Sequence, residues 1–141
     1  MAEAPHDAMP WRRAPQDAAT RRARGAAAHA SGAGAEDAVA RLYEGQGGVV
    51  AARRWRSPWG EVDLIVRWGE TVVVVEVKKA RSLDEAALRL SRRQMDRLCA
   101  AAQAFCAGEP RGALTDLRFD LALVDGLSRV RVIEGAWGQD W

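Results

Sequence analysis

The order of its local patterns predicts a small α/β protein, with a mixed β-sheet flanked by helices. Three observations predict it. Apolar residues recur at helical spacing after Ser31; valine-rich segments then alternate around tight turns; and a long amphipathic run separates these from two further strand-like segments. A helix lying between strands makes a crossover, so the order α-β-β-β-α-β-β implies that the sheet is not purely antiparallel.

The first element is a helix over about 33–45, where Ala35, Val39, Leu42 and Tyr43 share a face and Gly45, Gly47 and Gly48 end the run. Strands follow at 49–56, 61–68 and 71–79. They are separated by Ser57-Pro58-Trp59-Gly60 and by a turn at Trp68-Gly69-Glu70. Ser82-Leu83-Asp84-Glu85 has the form of a capping box, and Leu83, Leu90, Leu98, Ala101, Ala102 and Phe105 continue as one stripe, so a single helix is predicted over 83–107. Its other face carries Arg89, Arg92, Arg93, Gln94 and Arg97. Strands at 117–124 and 129–133, joined by Asp125-Gly126, complete the order.

Residues 1–31 mix Ala, Pro, Arg and acids without a sustained apolar period and read as a disordered basic tail, which leaves 32–141 as one domain. A domain of about 110 residues can bury a core without staples. Cys99 and Cys106 sit two helical turns apart, about 10 Å, too far for a disulfide, and read as reduced core residues. No CxxC spacing supports structural zinc, and His6 and His29 fall in the tail. No segment approaches the about 20 apolar residues of a membrane span, and the N-terminus lacks a secretory core, so a soluble, cytoplasmic protein is expected. The Trp-bearing segment Trp137 to Trp141 is a candidate apolar contact for a homodimer. The net charge of +2 says little about partners, but nineteen arginines against two lysines, the adjacent Lys78 and Lys79, make a mid-strand lysine an informative choice.

The hairpin around Gly69 carries the chemistry. With a Gly69-Glu70 loop, Asp63 falls opposite Glu76 and Glu61 opposite Lys78, bringing Asp63, Glu76 and Lys78 to one face, while Val62, Leu64 and Val66 meet Val73, Val75 and Val77 on the other. Carboxylates within a valine run need a partner or a cation. Two of them suit Mg²⁺ or Mn²⁺, and a nearby lysine suits orienting a metal-bound water for phosphodiester hydrolysis. Cross-strand ion pairing on a half-exposed face is the competing reading. Arg53, Arg54 and Arg56, with Trp55, Trp59 and Trp68 close by, are candidate contacts for nucleic-acid phosphates and bases; the alternative is that these tryptophans cover a sheet edge and the arginines face solvent.

Gly60-Glu61-Val62-Asp63-Leu64-Ile65, then Val75-Glu76-Val77-Lys78 and Arg118-Phe119-Asp120, resemble the uncharacterised bacterial YraN-like family of the restriction-endonuclease-like PD-(D/E)XK superfamily. The resemblance runs from about Gly34 to Gly138. It implies a restriction-endonuclease-like fold and a DNA nuclease similar in layout to Holliday-junction resolvases and RecB-type enzymes. In such folds Asp63 is the motif acid, Glu76 and Lys78 form the E-x-K, Glu36 is a further ligand from the first helix, and Arg93 and Gln94 reach toward the site. A catalytically silent nucleic-acid-binding or partner-binding accessory protein is the alternative expectation.

Overall fold

Five strands, β1 (Val49–Ser57), β2 (Gly60–Trp68), β3 (Thr71–Lys79), β4 (Asp116–Val124) and β5 (Val130–Trp137), form one sheet in that spatial order. The computed structural model describes residues 32–138; the tail read over 1–31, with both histidines, and Gln139-Asp140-Trp141 lie outside the described residues. β3 and β4 are parallel and every other neighbouring pair is antiparallel, so the sheet is mixed as the crossover requires. Before β1 stands α1 (Gly32–Gly45), and α2 (Leu83–Leu88) and α3 (Arg92–Cys106) link β3 to β4. No helix of the described residues is long and apolar enough to cross a membrane.

The valine run explains why β3 is central. Val72, Val73, Val74 and Val75 are all buried, and their alternation feeds two cores. Val73 and Val75 pack with Leu64, Val66, Ala122 and Val124 under Ala38, Val39 and Tyr43 of α1. Val72 and Val74 pack with Ile65, Leu121 and Leu123 under Leu98, Ala101 and Ala102 of α3. Each such side chain contributes about 1.5–3 kcal/mol relative to exposure, so both faces of the sheet must be covered. Cys99 and Cys106 are free and belong to the α3 core. Trp137, read as a candidate contact between copies, is instead core: it is 3% exposed and its ring lies 5.1 Å from that of Phe119.

The single helix predicted over 83–107 is two. Leu90 is buried in the α3 core, but the chain turns there, and Ser91 restarts it as N-cap by accepting from Gln94 N at 3.0 Å. The apolar stripe masks this break because it runs through Leu90 to Leu98. Ser91-x-x-Gln94 is itself a capping-box pattern that marks the new start. The first box forms with a variation: Ser82 accepts from Glu85 N, while the Glu85 carboxylate reaches past it to Arg81 N at 2.7 Å.

Opposite Glu76's face, Asp120 is fully buried and receives four donors. Arg118 supplies Nε at 2.9 Å and a terminal guanidinium nitrogen at 2.7 Å, Tyr43 its hydroxyl at 2.6 Å, and Gly135 its N–H at 3.1 Å. One carboxylate thus ties α1, β4 and β5 together. Burial first, and then the Asp120 charge, hold the Tyr43 hydroxyl well above its ordinary value, so it remains a donor.

Candidate functional site

The β2–β3 pairing begins at Trp68 opposite Thr71, confirming the Gly69-Glu70 loop, and proceeds in register to Leu64 opposite Val75. There the ladder stops. One step further, Asp63 Oδ2 accepts the N–H of Val77 at 2.8 Å, so a side chain replaces the neighbouring strand's carbonyl. The alternation breaks at the same place: Leu64 and Val66 pack in the α1 core, but Val62 packs in the α3 core, not on the face expected from period two. Asp63 therefore sits in a gap between diverging strands, with its carboxylate toward β3. The predicted pairing of Glu61 with Lys78 does not form either. Glu61 meets Arg56 across the β1–β2 ladder at 3.7 Å.

Glu76, six per cent exposed, points to the α3 face. Its Oε2 accepts from Gln94 Nε2 at 2.7 Å and lies 3.3 Å from Lys78 Nζ. Gln94 is placed by the Ser91 cap, which aims the first turn of α3 at the end of β3. The helix break is thus what delivers this donor. Asp63 and Glu76 lie near enough for each to act on the other's ionisation. Burial, and then the Asp63 charge, raise Glu76 from 4.5 to about 7, against the opposing pull of Lys78. Burial also raises Asp63 above the ordinary carboxylate range, with Glu36 adding to the effect and the Val77 N–H opposing it.

Two partly buried acids with one lysine leave negative charge that the protein does not fully offset. A hard cation with water in its remaining positions fits such a donor set. Glu36, assigned as a third ligand by resemblance, is not gathered with them. Among the described residues no group of three or more His, Cys, Asp or Glu side chains forms an ion-holding cluster, and Glu36 is engaged by Arg54 Nε at 2.9 Å.

The basic residues flank this spot on two sides. Arg53 pairs with Asp37, Arg54 with Glu36 and Arg56 with Glu61, and all three side chains stay about half exposed or more. Such exposed pairs are worth little and exchange partners readily. Arg93 is exposed on the first turn of α3, while Arg92 pairs with Asp96 at 3.4 Å. Arg97, on the polar face read from sequence, lies over Gly60, where an added Cβ would meet its Nε at 3.1 Å; the positive φ of Gly60 independently favours glycine there. Of the three tryptophans, Trp55 stacks edge-on against Phe105 at 5.4 Å and Trp68 packs against the α1 core; Trp59 alone is exposed.

The raised Glu76 gives a pH signature. An acid whose folded value lies above its unfolded one stabilises the fold below about pH 4.5 and loses that contribution as pH rises through about 7. In the absence of divalent ions, urea unfolding at pH 8 should show a stability lower by about 3 kcal/mol at most than at pH 5, from 1.36 kcal/mol per unit. Glu76→Gln should flatten that profile. A wild-type stability that rises over this interval while the Gln variant's does not would contradict the assignment.

Residues 35–124 match the family described as Uncharacterised protein family UPF0102, a span that includes Glu36, Asp63, Glu76, Lys78 and Gln94. Among similar proteins, a UPF0102 protein of Cereibacter sphaeroides (strain ATCC 17029) is 58% identical over 113 residues, covering 80% of this chain and 97% of the relative. One of Ruegeria pomeroyi is 51% identical over 115 residues, covering 82% and 94%. One of Dinoroseobacter shibae is 47% identical over 116 residues, covering 82% and 87%.

Proposed function

The chain belongs to the uncharacterised protein family UPF0102, the YraN-like family, and from that premise we propose that it is a divalent-cation-dependent nuclease hydrolysing DNA phosphodiester bonds. The observation that carries the reading is the meeting of Asp63, Glu76 and Lys78 where the β2–β3 ladder opens. In this reading Asp63 and Glu76 hold Mg²⁺ or Mn²⁺, with Glu36 as a further acid whose charge acts on Asp63. The ion, when bound, offsets charge on the phosphate and acidifies a bound water.

The chain's own residues divide the remaining work. The Val77 N–H fixes the Asp63 carboxylate, and Gln94 fixes that of Glu76, so both acids are oriented before any ligand arrives. Lys78 presents a compact ammonium beside Glu76, suited to orienting the attacking water and taking part in its proton transfer. Arg53, Arg54 and Arg56 on one side and Arg93 on the other suit backbone phosphates, which position a strand without reading its sequence.

The test is incubation of the purified protein with branched, single-stranded and duplex DNA in Mn²⁺. Wild type should cleave at least one substrate and Asp63→Ala none. Cleavage that persists in Asp63→Ala would place the activity elsewhere. Salt-sensitive DNA binding with no cleavage in any divalent ion would instead favour the silent accessory protein.

A further inference from the structure

Arg54 combines two features that the hydrolytic reading leaves unused. Its backbone lies in the left-handed region, at φ +50°, in the middle of a strand, where a non-glycine residue is rare. It also stands across from Asp63, because the flanking pairs are Arg53 with Leu64 and Trp55 with Val62. The unusual backbone thus sets an arginine opposite the motif acid, and its Nε reaches Glu36 at 2.9 Å.

The same guanidinium therefore borders the acid that opens the ladder and holds the acid that stands apart from it. Its side chain is 53% exposed and that of Glu36 is 21% exposed, so water limits the strength of the pair and a competing anion reaches the arginine side first. A phosphate, taken in two parallel hydrogen bonds, is a stronger partner for a guanidinium than an exposed single-contact carboxylate. Glu36 already acts through its charge on Asp63, so a Glu36 freed of Arg54 adds unbalanced negative charge beside the same site, which a cation relieves.

We propose that the Arg54–Glu36 pair is an exchange switch coupling nucleic acid to the cation: a backbone phosphate draws Arg54 away, and Glu36 then turns to the ion as a third carboxylate. This rests on the reading of the Asp63–Glu76 site as a cation site. Before the exchange, two carboxylates hold the ion weakly; after it, three hold it tightly. Binding of either ligand then strengthens the other by the same factor. Arg54 is in this scheme a positioning residue.

Mn²⁺ affinity of the full chain, read from the electron paramagnetic resonance signal of the free ion, tests it. Arg54→Gln should tighten Mn²⁺ by about tenfold without DNA, a typical coupling between sites. Glu36→Gln alone should change little, and the double variant should return to the wild-type value. Arg111→Gln, which removes the same charge from a pair with Glu70 at the opposite end of the hairpin, should have no effect. In a Lys78→Met background that slows turnover, a short DNA duplex should tighten Mn²⁺ about tenfold, and only while Arg54 and Glu36 are both present. A gain from Arg54→Gln that survives in the double variant, or matches that of Arg111→Gln, overturns the switch and leaves the cation site standing. So does DNA coupling that persists without Arg54 or Glu36. No Mn²⁺ binding by any folded variant overturns the cation site itself, and the switch with it.

Discussion

Asp120→Ala is expected to cost about 3–5 kcal/mol of stability, the usual consequence of removing one partner from a buried ion pair. The effect is large because a single carboxylate with no exposure serves Arg118, Tyr43 and Gly135 at once. Its removal takes away the bidentate partner of a guanidinium that is itself 7% exposed. Against a total of about 5–15 kcal/mol for a domain, such a loss leaves little margin. The melting temperature should fall by about 12–20 °C, at about 4 °C per kcal/mol for a domain of about 110 residues. Replacing both partners, as Arg118→Met with Asp120→Leu, should cost less than Asp120→Ala alone, because no charge is then stranded. A thermal melt of Asp120→Ala within a few degrees of wild type would show that the network is dispensable.

Lys78→Met is expected to lower the rate of DNA cleavage by about 10²–10⁴, the range for losing a positioned proton-transfer group. Methionine keeps the unbranched stem in its partly buried slot and removes only the ammonium beside Glu76. Affinity for DNA and Mn²⁺ should stay within a few-fold, since the acids and the flanking arginines are untouched. Lys78→Arg should fail to restore the rate. Guanidinium is wide, planar and always protonated, and the slot is shared with Gln94 on the same Glu76 oxygen. Single-turnover cleavage with binding measured in parallel separates these effects. Full activity in Lys78→Met would remove the lysine from the chemistry.

Much of this was legible in the residues. The hairpin register follows from a two-residue loop and a valine run, and it brought Asp63, Glu76 and Lys78 into one neighbourhood before any coordinates. Period-two reasoning failed at Asp63, because a side chain there competes with the backbone for the Val77 N–H, and competition of that kind leaves no trace in an apolar pattern. The break at Ser91 was hidden for a different reason. Leu90 satisfies the helical stripe equally well as the end of a short helix or as the interior of a long one, and only Ser91-x-x-Gln94 distinguishes them. Arg118-Phe119-Asp120 was recognisable as a motif, yet its acid proves to be a structural tie on the far side of the sheet from Glu76. A charged residue in a strand reveals that it needs a partner, and the partner's position is a matter of tertiary packing.

Both outer strands carry interruptions. β1 shifts register between Val50 and Ala52 and turns left-handed at Arg54; β5 shifts where Gly135, at φ +58°, gives its N–H to Asp120. A sheet's outermost strands are natural templates for uncontrolled polymerisation, and bends or bulges there deny an incoming chain a flat row of groups to extend. The kinks that set the arginine over the acid and anchor the buried carboxylate also protect this valine-rich sheet from growing sideways into aggregates.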